Sequence, residues 1–152
     1  MKNLIYLLVI AFSLFFLTAC PDNIMEEGSF KFYNNSDRNI YMYLGIATRE
    51  SGGTLYPDTM ISEVQATVGP ILKNGFYRYQ YRRFKDCDTL CLYIFDADTV
   101  EKYSWDDVKL GYMIIKRYDL DFTNDLKEFD YTIYYPPTPI MKEIPMYPPY
   151  ED

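Results

Sequence analysis

Leu90-Cys91-Leu92-Tyr93-Ile94-Phe95 is an unbroken apolar run set between Asp88 and Asp96. A strand with one wet face alternates apolar with polar residues, so a continuous run bounded by acids reads as a buried strand. Shorter aromatic runs lie on either side of it. Ser29 to Tyr33 and Ile40 to Ile46 are rich in Phe, Tyr and Ile and flank the turn formers Asn34-Asn35-Ser36-Asp37-Arg38-Asn39. They predict a hairpin, with Phe30 and Phe32 on one face and Tyr41 and Tyr43 on a face of the second strand. Arg49 to Gly53 reads as a flexible loop, and Tyr56-Pro57-Asp58-Thr59 as the start of a turn. Glu63 to Ile71 alternates weakly through Val64, Ala66 and Val68 and reads as a strand. Phe76 to Phe84 fits two periods: Tyr77, Tyr79 and Tyr81 suit a strand, whereas Tyr77, Tyr81 and Phe84 suit a helix face. The choice stays open.

Downstream, Ser104 can cap a short helix whose first turn carries Asp106 and Asp107, acids placed where the helix dipole favours them. Gly111 would end it. Tyr112 to Tyr118 reads as a strand, Thr123 to Phe129 as a turn or two of helix capped by Thr123, and Tyr131 to Tyr135 as the last strand. Six of the nine prolines then fall between Pro136 and Pro149. Residues 136–152 are therefore expected to form an extended, polyproline-like tail, loosely held. The fold class predicted is α+β and β-rich, a sandwich-like antiparallel sheet with one or two short helices.

The N-terminus sets location. Leu4 to Leu17 is apolar apart from Tyr6 and Ser13, follows Lys2, and ends in small residues, the layout of a secretory signal peptide. As a helix the run would reach roughly 21 Å at about 1.5 Å per residue, short of the roughly 30 Å hydrocarbon core of a membrane. Leu17-Thr18-Ala19-Cys20 resembles the bacterial lipobox, which implies cleavage before Cys20 and lipidation of its thiol. The expected domains are a signal peptide over 1–19, an acidic tether over 20–28, a single β-rich domain over 29–135 and the tail. The tether carries Asp22, Glu26 and Glu27; it also resembles the acidic signal that sends many Bacteroidetes lipoproteins to the cell surface. Two or more acyl chains hold a protein firmly to a membrane where one gives only marginal binding.

Composition narrows the function classes. The net charge of −7 argues against a nucleic-acid partner, which needs concentrated Lys and Arg. The basic cluster Arg78, Arg82 and Arg83 reads most simply as a solvated face balancing an acidic domain, with an anion site as the alternative. His is absent, so no Ser-His-Asp triad, imidazole base or His-containing metal site can be built. The 17 tyrosines suit a strand-rich fold, or a binding face.

Two constellations could carry chemistry. Asp96-Ala97-Asp98-Thr99-Val100 follows the apolar strand and resembles the DxDx(T/V) opening motif of haloacid-dehalogenase-type phosphotransferases. That resemblance implies Asp96 as nucleophile and Asp98 as acid/base around Mg²⁺, but too little chain remains for the rest of such an enzyme. Asp96, Asp98 and Glu101 are also weak candidates for a Ca²⁺ site. The favoured expectation is a strand-to-helix turn whose Asp side chains bond backbone donors, with no metal and no cofactor. Cys87 and Cys91 form a possible disulfide. Across a continuous strand four residues span roughly 13 Å, beyond the roughly 4.4 to 6.8 Å that a bridge requires, so two unbridged thiols are favoured.

The order Asn34-Asn35-Ser36, Tyr56-Pro57-Asp58-Thr59, Phe95-Asp96-Ala97-Asp98-Thr99, Tyr103-Ser104-Trp105, Lys116-Arg117-Tyr118-Asp119-Leu120 and Thr132-Ile133-Tyr134-Tyr135-Pro136-Pro137 resembles a group of small lipoproteins of gut Bacteroidetes to which no activity is assigned. The function expected is a non-enzymatic binding module for a protein or glycan, anchored to the outer membrane through Cys20 and periplasmic or surface-exposed. The alternatives are a structural accessory of an envelope complex that makes contact through the Tyr- and Pro-rich tail, and an Asp-based phosphatase.

Overall fold

A computed structural model of the chain describes residues 27–48, 67–82, 87–121 and 124–151. β1 (Glu27–Asn34), β4 (Gly75–Arg82) and β7 (Thr132–Tyr135) form a three-stranded sheet in the order β4-β1-β7. β2 (Ile40–Thr48), β3 (Thr67–Ile71), β5 (Cys87–Asp96), β6 (Lys116–Asp121) and β8 (Met146–Tyr147) form a second sheet in the order β3-β2-β5-β6-β8. Neighbours run antiparallel except β1 and β7, which run parallel. Three short helices complete the described residues: α1 (Ala97–Lys102), α2 (Trp105–Leu110) and α3 (Asp125–Glu128). The domain is a β-rich α+β fold whose sheets are antiparallel apart from the β1–β7 pair.

The sheets pack face to face. Phe30 and Phe32 of β1 and Ile133 of β7 meet Ile40 and Met42 of β2, Leu92 and Ile94 of β5, and Tyr118 and Leu120 of β6. Each such side chain contributes about 1.5–3 kcal/mol when fully buried. On its other face β5 presents Cys91, Tyr93 and Phe95, which pack with Val100 of α1 and Val108 of α2. β5 lies between β2 and β6 and is covered on both sides, and that is why its sequence shows no alternation.

The expected hairpin of β1 and β2 does not form. β1 pairs with β4 and β7, whereas β2 pairs with β3 and β5, so the turn Asn34–Asn39 carries the chain from one sheet to the other. The amide of Asn34, fully buried, donates to the carbonyls of Arg38 at 2.8 Å, Ile71 at 3.1 Å and Leu72 at 3.1 Å. Its oxygen accepts from the backbone N–H of Ser36 at 3.1 Å. One side chain thus ties the arch between the sheets to the end of β3. The chain returns to the first sheet through Leu72-Lys73-Asn74, where Asn74 has φ 54° and Gly75 is required because a Cβ there would lie 2.8 Å from the Leu72 oxygen.

The ambiguous segment after Phe76 is strand as far as Arg82. The strand expected over Tyr112 to Tyr118 begins only at Lys116, because Tyr112 takes a left-handed conformation (φ 47°) after the C-cap Gly111 and turns the chain. β1 starts at Glu27, inside the expected tether. Residues 1–26, with Cys20 and the lipobox, the segment 49–66, Arg83, Phe84 and Thr123 lie outside the described residues.

The tail corrects a larger expectation. Residues 136–151 are part of the folded domain: a 3₁₀ turn over Pro139–Met141 carries fully buried Met141 into the core, Ile144 follows it, and β8 pairs with β6. The backbone N–H of Asp119 donates to the carbonyl of Pro145 at 2.9 Å. Proline removes a donor and leaves its carbonyl free to accept, so a proline-rich segment can still be sewn down by donors from its neighbours.

Candidate functional site

Asp96 ends β5 and caps α1. Its Oδ1 accepts from the backbone N–H of Asp98 at 2.9 Å, and its Oδ2 accepts from Arg38 Nη1 at 2.8 Å. That bond to Asp96 raises the pKa of Arg38 further. Both carboxylate oxygens of Asp96 therefore hold the strand-to-helix turn and the arch together. Asp98 and Glu101 are exposed. Among the described residues no three His, Cys, Asp or Glu side chains converge to hold a metal.

Cys87 and Cys91 lie in the single continuous strand β5, and Cys91 is a free, buried thiol. Burial, with Asp119 beside it, pushes the Cys91 pKa up to about 12, which leaves it a poor nucleophile. In register with these residues, Arg117 donates to Asp119 at 2.8 Å through both Nε and Nη2, and its guanidinium lies 5.5 Å from the centre of the Tyr93 ring. This set is closed on itself.

The outer face of the three-stranded sheet is different. Along β1, Phe30 and Phe32 point into the core while Lys31 and Tyr33 point away from it. The register places Tyr33 between Phe76 of β4 and Tyr134 of β7. The three rings stack as a row across the strands, with centroids 5.4 Å apart for Tyr33 and Phe76 and 5.5 Å apart for Tyr33 and Tyr134. Phe76 remains 60% exposed. The next outward row joins Lys31 directly to Arg78 and Thr132, and Ser29 faces Gln80 beyond it. Among the described residues neither Lys31 nor Arg78 is held in an ion pair. The sequence signal for this face was the alternation of β1, which is legible only once β4 and β7 are known to flank it.

Comparison with protein-family models, with curated proteins and with solved structures finds no match. No helix among the described residues is long and apolar enough to cross a membrane.

Proposed function

We propose that this chain is a non-enzymatic binding module of the bacterial envelope, anchored in the outer membrane by lipid on Cys20, which engages a protein or glycan through the outer face of β4-β1-β7. The observation that carries the reading is the stacked row Tyr33, Phe76 and Tyr134 on the outward side of the three-stranded sheet, with Phe76 exposed and Tyr33 and Tyr134 half-buried. Exposed aromatic rows bordered by polar residues are typical of recognition surfaces. The other chemistry-bearing groups have structural partners: Asp96 is a cap and an ion-pair partner, and Arg117 is paired with Asp119. A structural accessory acting through the tail would have Ile140 and Tyr147 as its exposed large apolar side chains there.

The test is capture from intact membranes with the full lipidated chain, wild type against the double variant Tyr33→Ser, Phe76→Ser. Loss of the captured component from the variant is expected. Identical capture by both would overturn the choice of face. Mass spectrometry of the mature N-terminal peptide should show a lipid-modified Cys20, and an unmodified N-terminus would remove the basis for the location.

A further inference from the structure

Lys31, half-buried, and Arg78, exposed, stand directly opposite each other on the outward side of the three-stranded sheet of a protein whose net charge is −7. Like charges in cross-strand register oppose folding, and acids are abundant in this chain, so the pair calls for a reason. Protection of a sheet edge against aggregation accounts for a cation on an edge strand such as β4. It does not account for Lys31, which sits on the central strand β1.

We propose that the outer face of β4-β1-β7 is a binding surface for an anionic polysaccharide, which deepens the binding-module reading above and rests on it. Two rows run side by side across the strands. Tyr134, Tyr33 and Phe76 form the aromatic row, and Thr132, Lys31 and Arg78 form the row beside it. Tyr33 and Lys31 are two residues apart on β1, so the rows are separated by roughly 7 Å, and each row spans roughly 10 Å over three strands. An acidic sugar carries an apolar C–H face and an anionic group on the same rigid ring. A chain of such sugars lying across the strands can set successive rings against the aromatic row and turn its anionic groups to Lys31 and Arg78. Ser29, Gln80 and Thr132 offer hydrogen bonds to the hydroxyls. Acidic peptides carry their carboxylates on flexible stems with no apolar face attached, and match the paired rows less well. An anion held by Lys31 and Arg78 on a net-negative protein is held by charge attraction that salt screens.

The test measures binding of polygalacturonate, dextran sulfate, neutral dextran and polyglutamate to the full lipidated chain in neutral detergent. Polygalacturonate or dextran sulfate should bind at low salt, and comparison of the two separates carboxylate from sulfate recognition. Affinity should fall at least about tenfold in the double variant Lys31→Gln, Arg78→Gln, and again between about 50 mM and about 300 mM salt. Neutral dextran should not bind. The double variant removes a repulsion, so its melting temperature should equal or exceed that of the wild type; the two single variants are read alongside it, so the test does not hang on one protein. The inference is overturned if neither anionic polysaccharide binds, if the charge variants bind them unchanged, or if polyglutamate binds as well as they do. If membrane capture still depends on Tyr33 and Phe76 in that event, the binding-module reading stands and only the ligand class is wrong.

Discussion

The ammonium of Lys116, at the start of β6, donates to the carbonyl of Pro148 at 2.6 Å and to that of Pro149 at 3.2 Å. Lys116 is 7% exposed, so a buried cation is satisfied by carbonyls of the last residues of the domain. Replacing it with Met keeps the stem and removes both bonds. Lys116→Met should cost about 1–3 kcal/mol, measured by urea unfolding.

Deletion of residues 136–152 should be far more severe than Lys116→Met. It removes Met141 and Ile144 from the core, about 1.5–3 kcal/mol each, together with the β8 pairing and the partners of Lys116. The truncated chain should fail to unfold cooperatively at 25 °C as followed by circular dichroism. A cooperative melt within a few degrees of wild type would show that the tail is dispensable.

Asn34 gives a sharper test of the arch between the sheets. Its amide faces three carbonyls, and Asn34→Asp would set a carboxylate against them. Leaving a buried charge unpaired costs about 3–5 kcal/mol, and Asn34→Ala, which strands the carbonyls and the N–H of Ser36 but buries no charge, should cost about 1–3 kcal/mol. The order of the two variants in denaturant midpoint is the readout; equal midpoints would mean that Asn34 is not the tie.

Stability should decline at alkaline pH. Burial raises the pKa of Tyr118, whose hydroxyl donates to the carbonyl of Tyr134 at 2.9 Å, and burial likewise raises Tyr79 and Tyr135. Cys91 moves from 9.0 to about 12 for the same reason. An acid whose folded pKa is raised keeps its proton longer in the folded state. Its contribution is complete below the unfolded value and is lost as pH rises through the folded one. For Cys91 that window runs from 9.0 to about 12. Lys116 acts in the opposite sense: burial lowers its pKa, so its contribution grows as pH approaches 10.5. Four acids are raised against one lowered base, and denaturant midpoints should fall from about pH 9 to about pH 12.

The legible parts of this fold were those where one segment carries its own reason. The run Leu90 to Phe95 announces burial on both faces, and Ser104 announces a helix start, its hydroxyl accepting from the N–H of Asp107 at 3.2 Å. Pairing was not legible, because alternation in β1 and β2 fixes which side chains are apolar and leaves open which strands they join. The buried amide of Asn34 decides that through contacts with residues 37 and 38 positions away. The tail misled because proline content describes missing donors, whereas the tail is held by its carbonyl acceptors, by the pairing of β8 and by buried Met141 and Ile144. The candidate face was hidden for a related reason: Tyr33, Phe76 and Tyr134 become neighbours only through the pairing of three strands drawn from distant parts of the chain.

Asp96 separates a turn from an enzyme. As a turn residue it holds α1 through Oδ1 and Arg38 through Oδ2. Asp96→Asn keeps an oxygen for the cap and loses the charge of the ion pair, so it should cost about 0.5–1 kcal/mol; Asp96→Ala loses both and should cost about 1–2 kcal/mol. Arg38→Gln should approach the cost of Asp96→Asn, and combining those two changes should add little, because they remove the same interaction. A phosphotransferase would behave otherwise. Purified wild type would then hydrolyse a phosphate ester with Mg²⁺, and Asp96→Asn would abolish the turnover while leaving the fold intact. The outcome expected is no turnover in the wild type and a graded loss of stability across the variants. Turnover that vanishes in Asp96→Asn would overturn the non-enzymatic reading, because a cap and an ion-pair partner has no nucleophilic role to lose.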